Sequence, residues 1–152
     1  MAELNHPMKY RMLHLVRLLT FMPEDDLALI VLKGHLAIEE QLILLIERKL
    51  SYPDALDKAR LTFFQQVCLA KAMYYKPENM WIWTSLEKLN QVRNHLSHTL
   101  EASRLETKAT EFTGSIKGFS EPDSTIEEQM RHALVFMCGS LTEVADENSS
   151  AQ

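Results

Sequence analysis

The sequence predicts an all-α fold, an antiparallel bundle of four or five helices, from three observations. Only four glycines and five prolines punctuate the 152 residues. Leucine, glutamate, alanine, methionine, lysine and glutamine are frequent, and these side chains lose little on entering a helix. Apolar residues also recur at three- and four-residue spacing through most of the chain, which is the period of a half-buried helix.

Each element follows from its own punctuation. The apolar period runs from about Leu4 to Phe21, and Pro23-Glu24-Asp25-Asp26 then supplies a proline and carboxylates suited to a new helix N-terminus. A second helix is expected to about Leu50, where Pro53 opens a short connection. A third covers roughly Ala59 to Tyr75, and Pro77-Glu78-Asn79 precedes a fourth, from about Asn79 to Ala102. Residues 103–125 carry a weaker pattern, read as a helix ending near Gly114 or Gly118. Glu121-Pro122-Asp123-Ser124 begins a final helix to about Val144. Residues 1–145 are thus expected to form one helical domain, and Asp146 to Gln152 a frayed tail. A hydrophobic fraction of 46% is enough for a single core in a chain of this size.

Composition narrows the function classes. The start, Met1-Ala2-Glu3-Leu4-Asn5-His6, lacks a basic region followed by an apolar run, so no secretory signal is expected and a cytoplasmic location is. The most apolar stretch, Leu27 to Ile46, is interrupted by Lys33, His35, Glu39 and Glu40, which would be costly at a bilayer centre. No membrane association is expected. Cys68 and Cys138 fall at apolar positions of separate helices, where thiols act as small core residues. The net charge of −5 argues against a general electrostatic grip on nucleic acid, leaving a local strip of Lys88, Arg93, Arg104 and Lys108 as the basic feature.

The chemistry concentrates near the end of the fourth predicted helix, in Leu89-Asn90-Gln91-Val92-Arg93-Asn94-His95-Leu96-Ser97-His98. Ile82, Leu86, Leu89, Val92, Leu96 and Leu100 share one face, and Arg93 falls within it. A guanidinium so placed needs a partner. On the second helix, Leu27, Ala28, Val31, Ile38, Leu42, Leu45 and Ile46 form a core face that includes His35, and Leu29, Leu36 and Ile43 form a second apolar strip. Glu39 lies between the two. A carboxylate there is costly unless paired, so an ion pair between Glu39 and Arg93 is expected. A wet groove is the other home for Glu39, and a dimer seam the other use of the second strip.

His98 shares a strip with Asn94 at i, i+4 and points away from the core face, so it is expected to be accessible. Histidine moves protons near neutral pH, and arginine holds phosphate oxygens in a bidentate fork. Together they suit phosphodiester cleavage. On an ideal helix they stand about 140° apart. They can therefore serve one phosphate only where the helix end is irregular or a second protomer completes the site.

The segment Leu86-Glu87-Lys88-Leu89-Asn90-Gln91-Val92-Arg93-Asn94-His95-Leu96-Ser97-His98 resembles the signature of HEPN domains, small helical proteins often found as ribonuclease toxins. That signature is an arginine, frequently followed by asparagine, with four to six residues between the arginine and a histidine near the end of a long helix. Arg93, Asn94 and His98 fit it, the preceding Leu89-Asn90 is similar, and Glu39 matches an acidic position on an earlier helix. The resemblance implies a HEPN-like bundle and metal-independent RNA cleavage in a cleft between two protomers, with no cofactor. It assigns proton transfer to His98, phosphate binding to Arg93, hydrogen-bonding support to Asn94 and orientation of the guanidinium to Glu39. It also implies a toxin or defence role, RNA as substrate and a homodimer. Related toxins neutralised by nucleotide transfer carry tyrosine two residues after the motif histidine, where this chain has Leu100. That route is closed, and a protein antitoxin of another kind stays open.

Other readings compete. A HEPN-like module without activity would serve as a dimerising or partner-binding scaffold, since one fold hosts unrelated functions. His95 and His98 with Glu101 have the spacing to ligate a metal on one helix, although ordinary surface exposure explains both histidines. Glu3 and His6 form an isolated acidic-x-x-His match, taken as chance because a di-metal bundle needs two such pairs. Trp81 and Trp83 are expected to pack rather than to stack bases. His14 and His132 are read as core or interface histidines.

Overall fold

The computed structural model describes residues 17, 18, 20–98, 101–121 and 123–149. These are organised by six α-helices, with no strand among them: α1 (Leu27–Glu47), α2 (Asp54–Asp57), α3 (Phe63–Tyr74), α4 (Met80–His98), α5 (Ala102–Ser115) and α6 (Ile126–Ser149). A 3-10 turn at Pro77–Asn79 leads into α4. Of the helix expected at Leu4 to Phe21, Arg17, Leu18, Thr20 and Phe21 are described and helical. Glu3, His6 and His14 lie outside the described residues, as does Leu100. Among the described residues, no helix is long and apolar enough to cross a membrane.

Local chemistry places the helix ends. Asp26 accepts a hydrogen bond from the Leu29 amide at 2.9 Å and starts α1 where the acidic cluster predicts it. The third helix begins four residues later than expected. Arg60 has a φ of 47°, which a helix cannot continue through, and Thr62 and Gln65 then exchange capping bonds. Thr125 and Glu128 form the same reciprocal arrangement at the start of α6. The expected fraying from Asp146 is not found as far as Ser149. The helix continues there, with Val144 and Ala145 buried and Lys76 bridging to Glu147 at 3.3 Å.

The expected antiparallel arrangement holds for part of the molecule. Ser115 Oγ donates to Ser85 Oγ at 2.8 Å, joining the end of α5 to the beginning of α4, so these two helices run in opposite senses. By contrast, α1 and α3 run in the same sense: His35 meets Phe63, Glu39 meets Gln66, and Leu45 O accepts from Tyr74 Oη at 2.7 Å. The reason is the connection over 48–62, which carries the chain back along α1 instead of turning it at the end. α6 also runs with α1, since Gly34 faces Leu134 while Gln41 Nε2 donates to Cys138 O at 3.3 Å. At Gly34 the two helices approach so closely that a Cβ would lie 2.2 Å from a Leu134 methyl carbon.

The core is continuous through α1, α3, α4, α5 and α6, and Trp83 and Phe112 are its largest fully buried members. Trp83 packs as expected, while Trp81 is half-buried against Phe136. Cys138 is buried, and burial pushes its thiol up to about 12. It stays protonated and behaves as a small apolar group. Cys68 departs from expectation: it lies exposed on the outer side of α3, because Phe63, Val67, Ala70 and Tyr74 carry that helix's buried face. His132 is likewise exposed, beside Glu121, rather than in a core.

Candidate functional site

α4 is anchored at its start by one buried amide. Asn79 Nδ2 donates to Tyr74 O at 2.9 Å, while its Oδ1 accepts from the Lys76 amide at 3.0 Å and from Trp83 Nε1 at 2.8 Å. This ties the end of α3 to the first turns of α4 and sets the rotation of α4 about its axis. Ile82, Leu86, Leu89 and Val92 therefore face the core, and Arg93 and Asn94 lie exposed near the C-terminus.

The two ends of that apolar face differ. Leu89 and Val92 are fully buried, Leu96 is half-buried and Arg93 is exposed. The angular position of Arg93 is that of a core residue, but the packing against it has run out. A cleft of about 690 Å³ opens here between α1, the start of α3 and α4. Glu39, Arg93 and Asn94 line it, together with His35, Asn90, Leu32, Leu36, Thr62, Phe63 and Phe64. Three of the four site residues named from the sequence thus share one cavity.

The expected ion pair between Glu39 and Arg93 is not formed. Glu39 is half-buried and accepts from Gln66 Nε2 at 3.2 Å, an amide that also donates to Leu61 O. The hydrogen bond of the Arg93 guanidinium is a long one, 3.5 Å from Nη1 to Asn94 Oδ1, and no carboxylate among the described residues pairs with it. Water satisfies an exposed guanidinium, which removes the cost that made a buried partner necessary. Arg104 and Lys108, read from the sequence as part of a basic strip, are paired with Glu101 at 3.4 Å and Glu111 at 3.2 Å. Of that strip, Arg93 is the member with its charge uncompensated in the cleft.

His98 is exposed, as expected, but sits at the last residue of α4 and does not line the cleft. Within a single chain, Arg93 and His98 are not brought into one cavity. His95 is half-buried with Nε2 sealed from solvent and unpartnered, and no group of three His, Cys, Asp or Glu side chains among the described residues is arranged to hold a metal ion.

Sequence reasoning placed His35 in the core and gave it no role at the site. It is 7% exposed, packs with its ring centroid 4.0 Å from that of Phe63, and leaves a buried Nε2 without a hydrogen-bond partner. Burial first and the Arg93 charge second hold its pKa down at about 4, against a side-chain hydrogen bond with Asn90 that raises it. The imidazole is therefore neutral at physiological pH. Asn90 and His35 were both recoverable from spacing, because each lies four residues before a site residue on its own helix, Asn94 and Glu39 respectively.

Compared with protein-family models, curated proteins and solved structures, the chain matches none.

Proposed function

We propose that the protein is a metal-independent endoribonuclease of the HEPN kind, acting as a homodimer and serving as a toxin or defence protein. The observation that carries this reading is the uncompensated Arg93 guanidinium at a cleft shared with Glu39 and Asn94, with His98 exposed at the end of the same helix. An arginine without a carboxylate partner is available to a phosphate. Leu29, Leu36 and Ile43 leave an apolar strip on α1 at 38%, 56% and 39% exposure, and Leu36 also lines the cleft. A second copy seated on that strip would cover apolar surface beside the cleft and supply the histidine that one chain does not place there.

In the proposed reaction His98 accepts the proton of a ribose 2′-OH. The 2′-oxygen bonds to phosphorus, the bond from phosphorus to the 5′-oxygen breaks, and a proton is delivered to that leaving oxygen. Arg93 holds the non-bridging oxygens as charge builds on them, with Asn94 steadying the guanidinium. Glu39, bonded to Gln66 rather than to Arg93, shapes the cleft's field from the opposite wall.

The placement of His98 outside the cleft favours one second reading, a HEPN-like module without activity that binds a partner through the same strip. Purified wild type, Arg93→Ala and His98→Ala proteins, matched for helicity and oligomeric state, separate the two on a panel of structured and single-stranded RNAs. Loss of cleavage by about a hundredfold or more in each variant is expected for general acid–base and electrostatic roles. Equal cleavage by all three, or none by a wild-type dimer, overturns the nuclease reading.

A further inference from the structure

The cleft, at about 690 Å³, is larger than phosphate binding alone requires. Arg93 and Asn94 are exposed at its edge, while His35 lies at its inner wall, where the imidazole is neutral and Nε2 is buried without a partner. A buried, unpartnered polar atom is costly in a folded protein and marks a place where a ligand can complete the bonding. Asn90, whose side chain bonds to His35, lines the same cavity with an amide that has both donor and acceptor atoms. Phe64 stands at the same cavity with 52% of its surface exposed, an aromatic ring left bare at the cleft.

We propose that this cleft is a nucleobase subsite: one unstacked base lies against Phe64, its polar edge meets His35 and Asn90, and the phosphate attached to its ribose reaches Arg93. Each part answers a different portion of one ligand. The ring supplies stacking, which every base accepts. The neutral imidazole and the amide supply directional hydrogen bonds without adding charge. The volume of about 690 Å³ falls within the range of small-molecule sites and exceeds what a phosphate alone fills. Glu39 lies on the same wall and disfavours a second anion deep in the cleft, so the ligand enters base first with its phosphate outermost. The subsite rests on the nuclease reading for its substrate, an RNA strand. Its chemistry is equally that of a free nucleotide, and the experiment separates the sources.

Binding and cleavage are measured independently. Nucleoside 3′-monophosphates and inorganic phosphate are titrated into wild type, Phe64→Ala and His35→Leu by calorimetry, and cleavage-site bias is read from random RNA with the same proteins. At least one nucleotide is expected to bind wild type tenfold or more tighter than phosphate. Phe64→Ala, an exposed position that leaves the core intact, should lose about tenfold of nucleotide affinity while inorganic phosphate shows no such loss. His35→Leu should flatten the base preference. A nucleotide advantage lost in Phe64→Ala together with a base-biased cleavage pattern supports a strand subsite. The same binding result with no cleavage by wild type supports a nucleotide pocket and sinks only the nuclease reading. Nucleotides that bind wild type no better than phosphate, or Phe64→Ala binding as wild type does, overturn the subsite whatever the cleavage result.

Discussion

Replacing His35 tests how its surroundings hold it neutral. The folded protein keeps this imidazole at a pKa of about 4, because burial removes water from the ring and the Arg93 charge opposes a second cation nearby. In the unfolded chain the ordinary value of about 6.5 applies. Between these values the unfolded state binds the proton and the folded state does not, so stability rises with pH across this window and falls on acidification. Above pH 6.5 the penalty is absent. Taking the protein from about pH 7 to about pH 5 should cost it about 2 kcal/mol through this group, and about 3 kcal/mol by pH 4. His35→Leu has nothing to titrate there. Urea unfolding of both proteins at fixed concentration and at each pH isolates the histidine, because the other titrating groups are common to the pair and cancel. Whatever the leucine costs or gains in packing against Phe63 is nearly constant with pH and drops out of the same difference. The wild type should lose about 2 kcal/mol more than His35→Leu between the two milder conditions. Parallel pH profiles, agreeing within about 0.5 kcal/mol, would refute the account of a histidine kept neutral by burial. Arg93→Ala supplies a second check, since removing the neighbouring charge should raise the pKa of His35 and shrink the acid loss.

Two further outcomes concern the frame that holds the cleft. Gly34→Ala would normally favour a helix by about 1 kcal/mol, but its new methyl would stand 2.2 Å from Leu134 Cδ1. Leu134 is fully buried, and its Cδ2 and Cγ would also lie within 3.0 Å of that methyl. A net destabilisation of about 1–3 kcal/mol is expected by thermal or chemical unfolding, and a neutral or stabilising result would show that α1 and α6 are not pressed together there. Asn79→Ala removes the acceptor of Trp83 Nε1 and the donor to Tyr74 O while leaving both buried partners in place. A loss of about 2–4 kcal/mol is expected from two stranded groups, with a red-shifted tryptophan emission if Trp83 loosens. Wild-type stability would remove Asn79 as the joint between α3 and α4.

Much of this architecture was legible because helix periodicity and capping are local. The Asp26 start of α1, the buried face of Ile38, Leu42, Leu45 and Ile46, and the stripe of Leu86, Leu89 and Val92 all follow from spacing within one helix. The direction of α3 was not legible in this way. Short connections make antiparallel neighbours, but the fifteen residues over 48–62 return along α1 before α3 begins. Cys68 was misread for a related reason: one apolar residue on a mostly apolar helix carries little information about which side faces inward.

Arg93 shows where the helical wheel itself stops being informative. A wheel records angle and discards position along the axis, so it assigned Arg93 to the core with Leu89 and Val92 and demanded a buried partner. In the folded chain the core ends within the last two turns of α4, and the same angle then faces a cleft. The pairing with Glu39 fails for that reason, while the grouping of Glu39, Arg93 and Asn94 survives. A cation carried past the end of an apolar stripe can be positioned by the core without being neutralised by it. That combination suits the capture of an anion, because the backbone is held by Leu89 and Val92 while the guanidinium meets no carboxylate.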